Sequence, residues 1–203
     1  MWIQTAVGGV LAYFIGSIPS AYLLVRWRFH QDITRTGSGN VGAINALRTT
    51  HSKPLAVLVL LVDFSKGLAV VLLASWWFPA NSITLTIMTV AVVVGHNYPI
   101  WLKFRGGRGL ASSAGVLTMV APKLVGIWLL LWGIGYLLWR TIVYASVAAT
   151  LLIYLLLGLP GFILAPVVGL RIAMILGILI LIRHVPRFKE AWQTRQVKAT
   201  DSV

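Results

Sequence analysis

Long apolar runs dominate this chain and restrict what it can fold into. Of its 203 residues, 59% are hydrophobic and only 10% are charged. Soluble domains carry about 25% charged residues, whereas apolar runs of roughly 17–25 residues can cross a bilayer as helices. The sequence therefore predicts an all-α, polytopic membrane protein and excludes an ordinary soluble domain.

Seven apolar segments predict a bundle of about seven transmembrane helices. The third, fourth and sixth segments are shorter than a full crossing, so five spans with re-entrant segments are the structural alternative. The first segment is long enough to remain as a span, so no cleavable signal peptide is expected. The predicted segments are Ile3–Val25, Pro54–Trp77, Ile83–Val94, Leu110–Val120, Leu124–Trp139, Ile142–Leu157 and Phe162–Ile182.

The positive charges predict the orientation of the bundle. The chain has 17 Lys and Arg against four acids, and basic loops of membrane proteins lie in the cytoplasm. We expect one membrane domain, 1–184, with its N-terminus outside, cytoplasmic loops at 26–53 and 101–109, and a basic cytoplasmic tail at 185–203. Such a surface attracts anionic lipids and phosphorylated substrates. We expect no nucleic-acid partner, and the oligomeric state stays open.

A polar, glycine-rich segment at 35–48 follows the first span. Gly37, Gly39 and Gly42 allow tight turns and close approach to a ligand, and successive backbone amides in such turns can bind anions. Neutral donors and basic groups suited to phosphate oxygens accompany them, namely Ser38, Asn40, Asn45, Arg35 and Arg48. The segment predicts a site for a phosphorylated ligand.

A second glycine-rich segment, Gly106–Gly109, precedes an Ala/Ser-rich helix. Free amides and the helix dipole at a helix N-terminus favour phosphate, and Arg105 and Arg108 add positive charge. The segment lacks the Gly-Lys-Ser/Thr ending of a nucleotide-binding P-loop. The alternative is that its basic residues set topology and its glycines allow packing.

Two charges, Asp63 and Lys66, lie within the second apolar segment. Three residues apart, they share one helical face, and charges at such depth are usually paired and functional. One hypothesis is a structural pair that fixes helix packing. The other is that Lys66 is presented to a substrate phosphate.

His96 with Asn97, and His184, lie at predicted inner ends of spans. Each histidine is a candidate phosphate contact or base, although an interfacial side chain is the alternative. The chain has no cysteine, and no histidine has an acid at metal-ligand spacing. We therefore predict no metal site and no cofactor. No histidine has an aspartate five positions later, so the His/Asp dyad of well-known acyltransferases is absent.

Six separated motifs together resemble the bacterial acyl-phosphate:glycerol-3-phosphate acyltransferase family. Their order and spacing agree over almost the whole chain. They are Gly-Ser-Ile-Pro-Ser (16–20), Gly-Ser-Gly-Asn-Val-Gly-Ala-Ile-Asn (37–45), Asp-Phe-Ser-Lys-Gly (63–67), Gly-His-Asn-Tyr-Pro (95–99), Gly-Gly-Arg-Gly-Leu-Ala (106–111) and Arg-His (183–184).

The resemblance implies a bacterial inner-membrane enzyme of phospholipid synthesis with a cytoplasmic active site. It implies transfer of a fatty acyl group from acyl phosphate to the sn-1 hydroxyl of glycerol 3-phosphate, giving lysophosphatidate and phosphate. By position, Ser38 and Arg48 fall on the first family motif, Gly106–Gly109 on the glycerol-phosphate loop, and His184 on the third motif. The resemblance thus implies that Ser38, Arg48 and His184 are catalytic.

The chain departs from the family pattern at two places. Arg105 and Arg108 stand where the family usually has lysine, which keeps the charge and changes the bonding geometry. Arg187 and Gln196 stand near the positions of an Asn and a Glu in the third motif.

Two sets of residues are expected to hold the two phosphorylated substrates. Acyl phosphate is assigned to Ser38, Asn40, Asn45 and Arg48, with Gly37 and Gly39 shaping that loop. Glycerol phosphate is assigned to His96, Arg105, Gly106, Gly107 and Arg108, with Gly109 in the same loop. Lys66 and Asn97 are further expected substrate-binding residues. The alternative function is a small membrane transporter for an organic anion, for which inverted repeats and broken mid-membrane helices would be expected.

Overall fold

The protein is helical in the part of the chain that the structure, a computed structural model, describes. This part comprises residues 2–77, 81–159 and 165–200, with side-chain surroundings up to Val185. No strand occurs in it. The chain forms two compact units, Met1–Val120 and Ala121–Val203, which are described separately below.

The first unit contains the two glycine-rich segments between its helices. Its elements are α1 (Trp2–Ser17), α2 (Ser20–Phe29), α3 (Ala43–Thr50), α4 (Lys53–Trp77), α5 (Ser82–Asn97), a short 3₁₀ turn (Ile100–Leu102) and α6 (Leu110–Val120). The second unit contains α7 (Pro122–Trp139), α8 (Ile142–Leu157) and α9 (Val167–Thr200).

Five helical segments of the described chain are long and apolar enough to cross a membrane, which confirms the predicted class. They are Trp2–Phe29, Lys53–Trp77, Ser82–Leu102, Pro122–Trp139 and Val167–Val185. The apolar helices α6 and α8 are shorter, so the choice between seven spans and five spans with shorter segments stays open. The orientation of the termini and the division at 185 stay predictions, although α9 continues through this position.

Some predicted boundaries differ from the structure, and others lie outside the described residues. The loop predicted at 26–53 contains the end of α2 and all of α3. The sequence contains a signal for α3, because residues 43–50 contain neither Gly nor Pro and follow Gly42. From the sequence, short outer turns are expected at 78–82 and 158–161; residues 78–80 and 160–161 of these turns, and the start of the seventh span at Phe162, lie outside the described residues.

The first predicted span consists of two helices, α1 and α2, separated at Ile18 and Pro19. Proline has no amide hydrogen and its ring disfavours a helical conformation in the preceding residue. The Ile18 carbonyl instead accepts a hydrogen bond from the Ser20 amide at 3.0 Å. This break places polar groups near the inner end of an apolar segment.

Glycines allow the helices of the first unit to approach one another closely. A Cβ at Gly95 of α5 would lie 2.2 Å from the Tyr13 carbonyl oxygen of α1. Between α4 and α6, a Cβ at Gly67 would lie 2.1 Å from the Ser112 carbonyl oxygen. Small residues at helix contacts are typical of membrane bundles, where van der Waals contact between backbones drives packing.

A small apolar core supports the first glycine-rich segment. Its buried residues come from α2, the following loop, α3 and the start of α4. They are Ala21, Val25, Ile33, Val41, Ala46, Leu55 and Val59. The polar loop is therefore anchored to the helices by apolar side chains at both of its ends.

In the second unit, aromatic side chains connect α7 to α8. Trp128 Nε1 donates to Thr150 Oγ1 at 3.1 Å, and Trp132 Nε1 donates to Ser146 Oγ at 3.2 Å. Both side chains are half-buried, and their indole N–H groups have partners within the apolar unit. Tyr154 of α8 donates its hydroxyl to the Met174 carbonyl of α9.

Candidate active site

A buried cluster of charged and polar side chains lies where α4 passes the α1–α2 break. Lys66 Nζ donates to Asp63 Oδ1 at 2.7 Å, to the Ile18 carbonyl at 2.6 Å and to Ser20 Oγ at 3.3 Å. Ser20 Oγ donates to Asp63 Oδ1 at 2.5 Å. The predicted pairing of the two charges is therefore present. Because an ammonium has three protons, Lys66 already uses its full donor capacity, and its expected role as a phosphate ligand stays a prediction.

His96 connects this cluster to the second glycine-rich turn. Its Nδ1 lies 3.5 Å from Asp63 Oδ1, a distance within ion-pair range but longer than a good hydrogen bond. On the other side of the ring, a Cβ at Gly107 would lie 1.9 Å from Nε2. Only glycine leaves room here for the imidazole.

The backbone of the same turn is hydrogen-bonded to the end of α5. The Gly106 amide donates to the Asn97 carbonyl at 3.1 Å, and the Gly107 amide donates to the His96 carbonyl at 3.0 Å. These two amides are therefore committed to backbone carbonyls and do not form the expected phosphate cradle by themselves. The first-turn amides of α6, which follow Gly109, have no intrahelical acceptor.

Three buried polar side chains near these elements have no hydrogen-bond partner among the described residues. They are Ser17 of α1, Asn97 of α5, which lacks a partner at both Oδ1 and Nδ2, and Ser113 of α6. A Cβ at Gly109 would lie 2.8 Å from Asn97 Oδ1. Unpartnered buried polar groups are rare in folded proteins, and these provide hydrogen-bonding capacity beside the turn.

Asn45 shapes the first glycine-rich segment. Its Oδ1 accepts from the Ser38 amide at 2.9 Å, and its Nδ2 donates to the carbonyls of Ile33 and Thr36, each at 3.1 Å. The side chain is 1% exposed. The Asn45 side chain therefore forms its hydrogen bonds with the loop backbone. Its expected contact with acyl phosphate stays a prediction.

Gly37 and Gly39 have φ angles of +57° and +67°. Residues with a Cβ adopt this left-handed region at a cost of roughly 1–2 kcal/mol, which glycine avoids. Of the residues around these glycines, Ser38 and Asn40 are half-buried, whereas Arg35 and Arg48 are exposed. The loop thus presents polar groups outward from a rigid base.

Asp32 locks the start of this loop and was missed by the sequence argument. Its Oδ1 accepts from the Thr34 hydroxyl at 2.6 Å and from the Thr34 amide at 3.0 Å. The Thr34 hydroxyl, followed by the Thr34 amide and the positive charge of Arg35, holds the Asp32 pKa below its usual value. An acid followed two residues later by Thr is a recognisable turn signal.

The two glycine-rich segments border one small cleft of about 180 Å³, including its open mouth. Val41 contributes from the first segment and Gly106 from the second. The hypothesis of a shared site requires this proximity. The complete lining is Gly16, Ser17, Ile18, Pro19, Ser20, Val41, His96, Pro99 and Gly106.

Comparison with known proteins connects this site to an enzyme family. The sequence profile of the family described as glycerol-3-phosphate acyltransferase matches residues 6–194. The chain belongs to this family. The family predicted from the six motifs is thereby confirmed.

Individual members of the glycerol-3-phosphate acyltransferase family show how far the similarity extends. The Aquifex aeolicus glycerol-3-phosphate acyltransferase is 38% identical over 86% of this chain and 88% of its own. Glycerol-3-phosphate acyltransferase 4 of Dehalococcoides mccartyi is 47% identical over 54% of this chain and 47% of its own.

Solved structures of PlsY, an integral membrane glycerol 3-phosphate acyltransferase, are also similar. The glycerol 3-phosphate form has a TM-score of 0.82 and 34% identity, covering 95% of this chain and 94% of that chain. The lysophosphatidic acid form has a TM-score of 0.79 with the same identity, covering 95% and 93%. The acyltransferase is therefore favoured over the organic-anion transporter.

His184, expected to belong to the third family motif, lies on α9 of the second unit. It is fully buried, and its Nδ1 lies 2.8 Å from the Ile180 carbonyl of its own helix. Since a carbonyl only accepts, this nitrogen donates. The role of His184 in catalysis stays a prediction, and the side chains of Arg187 and Gln196 lie outside the described residues.

Ser17 and Ser20 also belong to the site but were not predicted from the sequence. Their signal was a proline with a serine two residues before it and another directly after it, within an apolar run at 16–20 that the resemblance included without assigning a role. Among the described residues, no group of three or more His, Cys, Asp or Glu could hold a metal ion. The polar groups of the site are thus hydroxyls, amides, an imidazole and one buried ion pair.

Proposed function

We propose that this chain uses acyl phosphate to acylate the sn-1 hydroxyl of glycerol 3-phosphate. The products are lysophosphatidate and inorganic phosphate. One observation carries the proposal: Val41 and Gly106, from the two glycine-rich segments, border the same cleft beside His96. Two phosphorylated groups held by these segments would lie side by side.

The first segment is assigned to the acyl phosphate. Ser38, Asn40 and Arg48 present polar groups from a loop that Asn45 holds in shape. An arginine fork suits phosphate oxygens because it offers several N–H donors in one plane. Arg48 is exposed, and we expect its side chain to become ordered when the donor binds.

The second segment is assigned to glycerol 3-phosphate. The amides of Gly106 and Gly107 bind backbone carbonyls, so the anion is expected at Arg108, Gly109 and the first turn of α6. The helix dipole and the first-turn amides of α6 favour negative charge there. Arg105 is exposed and adds charge at the entrance, while His96 and Asn97 contact the glycerol part.

The reaction needs positioning and charge stabilisation more than a strong nucleophile. The glycerol hydroxyl oxygen forms a bond to the acyl carbon, and the bond from that carbon to the phosphate oxygen breaks. Phosphate is already a good leaving group, and its oxygen accepts the hydroxyl proton. Orientation of two bound reactants can contribute about 7–11 kcal/mol to such a step, with basic groups stabilising the developing charge. His184 is then a contact and not the base.

A direct test is incubation of the purified protein with palmitoyl phosphate and labelled glycerol 3-phosphate. We expect labelled lysophosphatidate with palmitoyl phosphate and none with palmitoyl-CoA, and a loss of at least 100-fold in Ser38→Ala and Arg48→Ala. Product from palmitoyl-CoA alone would overturn the donor assignment. Full activity in both variants would overturn the site assignment. If the rate depends on the titration of one protein group, and His184→Ala abolishes that dependence, the result would favour general-base catalysis instead.

We further propose that the protein lies in the bacterial inner membrane with this site facing the cytoplasm. Because the chain has no cysteine, single cysteines can report topology directly. Gln31→Cys and Lys123→Cys both replace exposed residues. In intact cells, a membrane-impermeant thiol reagent should label Lys123→Cys and leave Gln31→Cys unlabelled until the cells are opened. The opposite pattern would contradict the orientation.

A further inference from the structure

We propose that Asp63 is a positioning residue for His96. Its carboxylate sets the orientation of the imidazole against the Gly106–Gly107 turn, while Lys66 and Ser20 hold the carboxylate in place. This inference rests on the proposed function, because the site it serves is the one assigned to glycerol 3-phosphate. The role differs from that of a packing pair and from that of a phosphate-binding lysine.

The position of Asp63 makes an accidental contact implausible. The residue is 2% exposed and lies ten residues into α4, about 15 Å along the helix at 1.5 Å per residue. Burial of a charge at such depth is costly and calls for a specific role. Three groups from different parts of the chain converge on Oδ1: Ser20 at 2.5 Å, Lys66 at 2.7 Å and His96 at 3.5 Å.

Helix packing does not require this convergence. The contact between α4 and α6 is made by close approach at Gly67 and Gly115. Ser112 of α6 donates to the backbone carbonyl of Asp63 at 3.0 Å and leaves the carboxylate to other partners. The carboxylate therefore contacts groups on the side of α4 that faces the α1–α2 break and α5.

The arrangement acts on His96 through its two nitrogens. Facing a carboxylate, Nδ1 keeps its proton, as in sites where a carboxylate fixes a histidine tautomer. Nε2 then lies at the opposite edge, directly at Gly107, where an added Cβ would come within 1.9 Å. The ring thus presents Nε2 at the turn, where it is placed to contact a glycerol hydroxyl.

Lys66 and Ser20 give the carboxylate one fixed position. Lys66 spans from Asp63 to the Ile18 carbonyl, and Ser20 both accepts from Lys66 and donates to Asp63. The α1–α2 break is therefore tied to α4 and, through Asp63, to α5. A shift of any of these groups would move the ring relative to the glycine turn.

The test compares Asp63→Asn, His96→Gln and their combination in detergent-purified protein, with palmitoyl phosphate as donor. We expect each single variant to lose about 100-fold in kcat/KM for glycerol 3-phosphate, as expected for misplacement of a contact group. The combination should lose no more than either alone, and the KM for palmitoyl phosphate should stay within twofold. Additive losses would overturn the proposal. Ser65→Ala, an exposed position on the same helix, is the matched control.

A second variant separates positioning from charge neutralisation. Asp63→Asn leaves Lys66 buried without its counter-ion, which can prevent folding. Asp63→Asn/Lys66→Met removes both charges and should fold, with its thermal midpoint near that of the wild type and activity still reduced about 100-fold. Recovery of wild-type activity in this variant would show that Asp63 only neutralises Lys66, and would overturn the proposal.

A readout without turnover distinguishes failure of this inference from failure of the proposed function. The chain has four histidines, so ¹⁵N-histidine labelling gives few resonances, and His96→Gln assigns His96. Wild type should show the Nδ1-protonated form, which Asp63→Asn/Lys66→Met should lose. An unchanged ring would overturn the inference. If this change occurs but wild type makes no lysophosphatidate, the proposed function fails while the orientation of His96 by Asp63 stands.

Discussion

The two glycine-rich segments border one cleft but are held in shape by different means. The first, at 35–48, has left-handed glycines and a side-chain staple, Asn45. The second, Gly106–Gly109, is bound by backbone hydrogen bonds to His96 and Asn97. In the first segment Gly39 is needed mainly for conformation and Gly37 for both conformation and space, since a Cβ at Gly37 would lie 2.3 Å from Asn45 Oδ1, whereas at 106 and 107 glycine is needed for space. Similar sequence patterns therefore carry different physical demands.

The largest effect is expected from filling the space at Gly107. In Gly107→Ala, the added Cβ would lie 1.9 Å from His96 Nε2, so the ring or the turn must move. Overpacking costs about 1–3 kcal/mol of stability, and displacement of a contact group by 1 Å costs about 100-fold in rate. We expect a loss of at least that size in kcat/KM. Gly126→Ala, where nothing lies within 4 Å, is the control, and equal behaviour of the two variants would contradict the comparison.

Removal of the Asn45 staple is expected to come next. Asn45→Ala would leave the Ser38 amide and the carbonyls of Ile33 and Thr36 without this partner. A buried polar group that loses its hydrogen-bond partner costs about 1–3 kcal/mol of folding stability. The cost is smaller here because water can enter the loop. We expect about 50-fold lower kcat/KM and faster hydrogen exchange at 33–38, with exchange at 105–109 unchanged.

The neighbouring Thr49→Val serves as the control for Asn45, because its hydroxyl makes one contact, with Thr36 at 3.2 Å. It should retain activity within twofold. Faster exchange in both glycine-rich segments of Asn45→Ala would show that they are not held independently.

Substitution by asparagine tests directly whether a glycine is needed for its backbone conformation or for the space it leaves, and a smaller effect is expected. Asn tolerates the left-handed region better than other residues with a Cβ, and a Cβ at Gly39 would come no closer than 3.1 Å to another group, the Thr34 carbonyl. Gly39→Asn should therefore keep activity within about fivefold, whereas Gly39→Val should lose more. Gly107→Asn should be inactive. Equal tolerance of Asn at both sites, measured as kcat/KM, would remove the distinction.

The smallest effect concerns Asp32, which locks only the first segment. Its pKa in the folded protein is lowered by the Thr34 hydroxyl. The stability it contributes is therefore complete above its unfolded value of 3.8 and is lost as the pH falls through the folded pKa. Hydrogen exchange at 31–38 should accelerate below about pH 4, and that at 105–109 should not. In Asp32→Asn this acid-induced change should be absent, with near-normal activity at neutral pH.

Local sequence signals predicted much of the fold and part of the site. The apolar segments 110–120 and 142–157 coincide with α6 and α8, and Gly109 before α6 and Gly158 after α8 mark two of their ends. The Asp63–Lys66 pair follows from spacing along a single helix. The break at Ile18 and Pro19 was not predicted as a junction of two helices, since apolar character continues across it.

The sequence by itself determined that this protein is helical and membrane-embedded, that it carries two glycine-rich polar segments, and that it belongs to the glycerol-3-phosphate acyltransferase family. These properties depend on composition, on short spacings and on the order of motifs. Only the tertiary structure decided that Asp63 lies beside Ser20 and His96. It also decided that the carbonyls of Asn97 and His96 accept hydrogen bonds from the amides of Gly106 and Gly107, and that Val41 and Gly106 border one cleft. Those contacts join residues on separate helices, and the packing of helix against helix, which no local spacing encodes, brings them together.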